Sequence, residues 1–167
     1  MERSFATRAD DAEFAGFCCC DGEAPPWRVE VENYVRGHVL GRATHSLAFR
    51  EKSELIAVAA FDPKTIELAR AVDPLRMRGW KLQVVAVARE RQRQGLSGDV
   101  FAQTFEAMRE QDPTRGVVQA DVHVDNDASL AACERAGLVR VMPIPPEHSY
   151  WLLMGKVPGI ANELTLE

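Results

Sequence analysis

The spacing of apolar residues changes period along this chain, and each period predicts an element. Residues 6–16 read as a first short helix, and the apolar 17–20 as a strand or loop. After Pro25 and Pro26, Trp27, Val31, Tyr34, Val35 and Val39 recur at helical spacing, which predicts a helix closed by Gly41. Period two takes over at 44–50, where Leu47 and Phe49 alternate with Ala48 and Arg50. Lys52-Ser53 turns the chain into 54–61, a buried strand. The pattern is weakest from 62 to 79, where a short helix at 66–72 is expected, ended by Pro74. It is clearest from there on. Residues 80–88 form an apolar strand, and 97–111 a helix with Val100, Phe101, Phe105 and Met108 inward. A turn at 113–116 leads into a strand at 117–124. A helix at 126–136 and strands at 138–142 and 149–157 follow, the last two joined by a loop holding Pro143, Pro145 and Pro146. Signals are weak from Pro158 on. Strand, helix and strand between 84 and 124 call for a right-handed parallel crossover. The expected class is α/β with a mixed, partly antiparallel sheet. The length of 167 residues suits a single domain over 1–167.

Candidate chemistry concentrates where the strand 80–88 ends. Val85-Ala86-Val87-Ala88-Arg89-Glu90-Arg91-Gln92-Arg93-Gln94-Gly95-Leu96-Ser97-Gly98 runs from strand through a charged turn and two glycines into a helix. Glycine lets backbone approach a ligand, and the free N–H groups and dipole of a helix start favour an anion. No G-x-x-x-x-G-K-[ST] loop is present, nor a G-x-G-x-x-G followed by a spaced acidic residue. Gln92-x-x-Gly95-x-Ser97 instead resembles motif A of the GNAT acetyltransferases, [Q/R]-x-x-G-x-[G/A], with Ser97 in place of the final small residue. A plain strand–turn–helix would show the same glycines. A second stretch joins it: His123-Val124-Asp125-Asn126-Asp127-Ala128-Ser129, closing at Gly137, resembles motif B of that family. Asn126 or Asp127 suits a helix cap, Ser129 lies in the first turn, and Gly137 suits a C′ position.

The resemblance covers about residues 80 to 140 and implies a GNAT-like sheet, flanked by helices and partly splayed at its centre. It implies acetyl-CoA as acyl donor, with the arm paired to the main chain of Val85, Ala86 and Val87. The phosphates would lie on Gln92, Arg93, Gln94, Gly95, Leu96, Ser97 and Gly98, and the pantetheine arm near Asn126 and Ser129. Arg89, Arg91 and Arg93 suit the phosphates, Arg93 foremost, because a guanidinium binds phosphate through two parallel bonds. The implied reaction moves an acetyl group to a primary amine of a small molecule or a protein.

The chain departs from the family pattern at the general acid. Where many members carry Tyr four positions before the motif B glycine, this sequence has Cys133. A thiol there packs as a small hydrophobe, donates a proton or acts as nucleophile, and Tyr150 is the alternative donor. Lys81 and Gln83 stand where some relatives carry a basic carboxylate and do not replace it. Glu90, Asp121 and His123 are the remaining candidates for base. Trp27, Tyr34, Trp151 and residues 143–150 are candidate acceptor walls. Asp21, Glu23, Glu30 and Glu32 form either an attractant for a cationic amine or a solvated helix face.

Composition narrows the alternatives. A net charge of −5 disfavours broad nucleic-acid binding. No apolar run reaches the roughly 18 residues of a membrane span, and the N-terminal stretch lacks a signal-peptide core, so the cytoplasm is the default compartment. Cys18, Cys19, Cys20 and Cys133 lack metal spacing and read as reduced thiols. His38, His45, His123 and His148 show no paired spacing either, so no metal is expected. A homodimer stays open. Two other functions do too: a toxin-like acetyltransferase acting on aminoacyl-tRNA, and a non-catalytic acyl-CoA-binding module.

Overall fold

The computed structural model describes residues 1–20, 23–68, 75–145 and 149–160, with the backbone alone for 38–42, 68 and 75. Strands are β1 (Glu2–Phe5), β2 (His45–Glu51), β3 (Glu54–Leu68), β4 (Leu75–Val87), β5 (Val117–His123), β6 (Val139–Ile144) and β7 (Tyr150–Lys156). Helices are α1 (Asp11–Ala15), α2 (Pro26–Arg42), α3 (Leu96–Gln111) and α4 (Asp127–Arg135), with 3-10 turns at Arg8–Asp10 and Arg89–Arg91. The sheet order is β1-β2-β3-β4-β5-β7-β6. β4 and β5 run parallel; β1 with β2, β2 with β3, β5 with β7 and β6 with β7 run antiparallel. The mixed sheet and the parallel crossover agree with the apolar pattern.

The chain divides into two compact units, Met1–Asp62 with Gln83–Thr104, and Pro63–Leu82 with Phe105–Glu167. In the first, Lys52 and Ser53 both take positive φ (50° and 70°), making a two-residue hairpin between β2 and β3 without glycine. Leu47, Ala48 and Phe49 of β2 and Ile56 through Phe61 of β3 are all fully buried. The alternation expected in β2 therefore fails at Ala48, because a strand covered on both faces has no polar side to show. Phe14, Phe17, Cys19 and Val35 pack with Ala48, Val58, Ala60, Val84, Ala86 and Ala88.

In the second unit Trp80 is buried, with the Arg115 guanidinium 5.4 Å from its ring centre. Gly79 and Gly155 are there because nothing larger fits. A Cβ at Gly79 would lie 2.5 Å from Ile66 Cδ1, and one at Gly155 would lie 2.9 Å from the Gly137 carbonyl. Helix α4 ends in a Schellman motif: Gly137 at φ +90°, its N–H donating to Glu134 O (3.0 Å) and the Leu138 N–H to Cys133 O (3.0 Å).

Several local expectations need correction. The helix at 66–72 does not begin: β3 continues to Leu68 with Ile66 buried between exposed Thr65 and Glu67, and residues 69–72 lie outside the described ones. The two-residue alternation of 65–67 is a strand signal that the short window hides. Gly41 lies inside α2, which runs to Arg42; of the two readings of 17–20, the loop is the one found, with Phe17, Cys19 and Cys20 buried. The strand β1 was not expected; its four residues carry no alternation of their own.

Candidate functional site

In the first unit, β4 hands over to a loop fixed by main-chain bonds. Ala88 N–H donates to Ile56 O (2.9 Å) and Arg89 N–H to Cys18 O (2.8 Å), and the 3-10 turn Arg89–Arg91 follows. Gln92 is the loop's strut. Its Nε2 donates to Cys19 O (2.8 Å) and Val87 O (2.9 Å), and its Oε1 accepts from Arg28 Nη2 (2.8 Å). Its main-chain N–H donates to Arg89 O (3.3 Å). Both side-chain N–H groups of Gln92 therefore bond within the protein.

Beyond Gln92 the backbone turns twice into the left-handed region, at Arg93 (φ +63°) and Gly95 (φ +79°). Glycine takes that conformation freely, whereas Arg93 holds it under strain. Helix α3 starts at Leu96, and among the described residues no side chain caps the N–H groups of Gly95, Leu96, Ser97 and Gly98. Gly95 and Gly98 are exposed, and a Cβ built on either would meet nothing within 4 Å. Uncapped helix N–H groups with open space before them suit an anion.

The arginines divide. Arg91 is held by Glu51, with Glu54 at 3.9 Å and Gln94 Oε1 at 3.3 Å. Arg93 is exposed and makes no hydrogen bond or ion pair among the described residues. Gln94 Nε2 folds back onto Glu90 O (3.0 Å), and Glu90 itself is exposed in the 3-10 turn. Upstream, Ala86 packs in the core while Val85 and Val87 are half-buried.

In the second unit, Asn126 caps α4. Its Oδ1 accepts from Ser129 N–H (3.1 Å), its carbonyl from Leu130 N–H (2.9 Å), and its Nδ2 has no partner among the described residues. Of the two cap candidates, Asn126 is the cap and Asp127 the first helical residue. Cys133 is buried, and burial, with the neighbouring Glu134 charge, pushes its thiol up to about 12. Tyr150 is half-buried at the start of β7, in register with His123, their rings edge to face at 5.2 Å. The His123 Nδ1 accepts from Asp125 N–H (3.2 Å). Asp121 is ion-paired with Lys81, whose ammonium pKa is lowered by burial and raised in part by that carboxylate. The parallel register of β4 with β5 runs from Gly79–Val117 to Leu82–Ala120 and ends there, although each strand continues.

Of the expected acceptor-side residues, Trp27, Tyr34 and Trp151 are half-buried, and Glu23 and Glu30 are exposed. Asp21 and residues 146–148, His148 included, lie outside the described ones. Glu32 departs from both readings given to it. It is buried, and its carboxylate is taken up by Cys19, Cys20 and Arg36. Neither Arg28 nor the carbonyls of Cys18 and Cys19 stood out beforehand. Every residue has a carbonyl, so no pattern marks the ones that hold a loop. Among the described residues no cluster of metal-binding side chains occurs, and no helix is long and apolar enough to cross a membrane.

No family model and no curated protein matches the chain by sequence. Solved structures do match by fold. A bacterial toxin superposes at a TM-score of 0.70 with 17% identity over 95% of this chain and 93% of its own. A GNAT-family protein from Desulfovibrio desulfuricans gives 0.66 and 16%, over 93% and 99%. The chain has the fold of the GNAT acetyltransferases. A mutant of the toxin AtaT, bound to the C-terminus of the antitoxin AtaR and to acetyl-CoA, gives 0.65 and 12%, over 95% and 94%.

Proposed function

We propose that this GNAT-fold chain is an acetyl-CoA-dependent N-acetyltransferase acting on a primary amine. The observation that carries the reading is the loop after β4: two left-handed turns at Arg93 and Gly95, then a start to α3 that no side chain caps among the described residues, with Gly95 and Gly98 exposed. The N–H groups of 95–98 would hold the pyrophosphate, and the exposed guanidinium of Arg93 a phosphate oxygen. Main-chain groups of Val85 and Ala86 would pair with the pantetheine arm, and Asn126 Nδ2 would donate to it.

Acetyl-CoA supplies an activated acyl group, and the chain's residues orient it and manage protons. The attacking nitrogen must be neutral. As the C–N bond forms and the C–S bond breaks, the nitrogen sheds one proton to solvent and the departing sulfur takes one from an acid that solvent then reprotonates. Tyr150 is the donor in this reading, because its phenol is half-buried beside His123, whereas Cys133 sits within the core and packs. Asp121 is ion-paired with Lys81, and Glu90 and His123 stand as the candidates to take the amine's proton through water, unless the amine binds in its neutral form.

A thermal melt with acetyl-CoA tests the reading. At a hundred times its Kd, ligand adds about 2.7 kcal/mol, a rise of roughly 5 to 11 °C for a domain of this size. No rise at saturation rejects it. A rise without amine-dependent release of CoA thiol leaves a binding module instead.

The toxins among the fold matches favour one second reading, acetylation of the amine of an aminoacyl-tRNA. The net charge of −5 opposes it. Acetyl transfer to bulk aminoacyl-tRNA, measured beside transfer to peptides and polyamines, separates the two.

A further inference from the structure

The segment 17–20 joins α1 to α2 without regular structure, yet Phe17, Cys19 and Cys20 are buried. Buried main-chain groups need partners, and here five of the segment's eight are met from two sources. One is α2. Glu32 Oε2 accepts from the N–H groups of Cys19 (2.8 Å) and Cys20 (2.9 Å) and from the Cys20 thiol (2.9 Å). Arg36 Nε donates to Phe17 O (2.6 Å), and its Nη2 pairs with Glu32 Oε1 (2.8 Å). Arg28 Nη2 donates to Cys19 O (3.2 Å). The other source is the phosphate loop: Arg89 N–H on Cys18 O (2.8 Å) and Gln92 Nε2 on Cys19 O (2.8 Å). Arg28 also bonds Gln92 directly (2.8 Å).

We infer that Arg28 and Glu32 are positioning residues for acetyl-CoA. From α2 they fix 17–20, and the carbonyls of that segment fix both ends of the 3-10 turn that sets the course of Arg93 to Gly98. The inference rests on the acetyl-CoA reading of that loop. Neither residue bonds to the N–H groups at 95–98 among the described contacts. Their loss therefore loosens the loop rather than deleting a contact, and its effect falls on the phosphate end of the ligand alone.

Two measurements on Arg28→Met test this, since methionine keeps most of the stem and removes both bonds. In the ligand-free protein, hydrogen exchange of the amides at 89–95 is expected to quicken at least about tenfold, while those at 101–108 in α3 stay unchanged. The Kd for acetyl-CoA is expected to rise about tenfold or more, with that for S-acetylpantetheine, which lacks the pyrophosphate and nucleotide, unchanged. Unchanged loop exchange overturns the inference, as does an equal loss for both ligands, which marks general damage. If the wild-type protein binds no acetyl-CoA, the functional reading falls with it. The loop-exchange comparison then still decides whether the brace exists. Should Arg28→Met fail to fold, Arg28→Lys, with its charge kept and the fork lost, carries the same comparison.

Discussion

Replacing Glu32 by Gln removes a buried charge from the centre of the brace, and the structure sets the size of the loss. Burial alone would raise the Glu32 pKa. The Cys20 thiol, the N–H groups of Cys19 and Cys20, and Arg36 outweigh it and hold the carboxyl down at about 2 against an ordinary 4.5. At 1.36 kcal/mol per pKa unit, that difference corresponds to about 3 kcal/mol of native-state stabilisation. Because the folded pKa lies below the unfolded one, this stability is fully present above about pH 4.5. It fades as pH falls towards 2. The glutamine still accepts from the two N–H groups, but its own NH2 meets the Arg36 guanidinium donor to donor. Glu32→Gln should therefore be less stable by about 3 kcal/mol at pH 7, or roughly 6 to 12 °C in Tm. Urea unfolding followed by tryptophan fluorescence measures the gap. Linkage closes it by about 1.4 kcal/mol at about pH 3.5, nearly half. Equal stability at pH 7, or a gap that does not narrow with acid, refutes the account of this carboxylate.

Two further outcomes follow from packing and from the site. Gly155→Ala sets a methyl 2.9 Å from the Gly137 carbonyl and 3.1 Å from Leu138 Cα, both main chain that cannot swing aside. It should cost about 1 to 3 kcal/mol in urea unfolding, and a neutral result would show that the end of α4 can shift. Tyr150→Phe should lower kcat by about a hundredfold or more with the KM for acetyl-CoA unchanged, whereas Cys133→Ala should keep kcat and lose stability. The reverse pattern in steady-state kinetics would return the proton to the thiol.

What the sequence determined by itself was local. The apolar face of α3 and the strand before it follow from spacing within a few residues. Asn126 and Gly137, which begin and end α4, are recognisable because a cap needs a short acceptor and a left-handed position needs glycine. The glycine loop was legible for the same reason, and the likeness of its motif to one fold family agrees with the fold found. Tertiary structure decided the fate of the polar groups. Glu32 reads as an attractant for a cationic amine or part of a solvated acidic face, yet burial and its partners from 17–20 and α2 make it a strut. The Gln92 side chain draws two of its partners, equally invisible in the chain, from the same two segments. Likewise Arg91 and Arg93 both suit a phosphate by type, with Arg93 foremost, but only the fold shows that Glu51 claims Arg91 and leaves Arg93 exposed. Backbone conformation depends on neighbours in sequence, which a sequence displays. Whether a charge stays buried depends on donors and acceptors far apart along the chain, and only the folded structure brings those together.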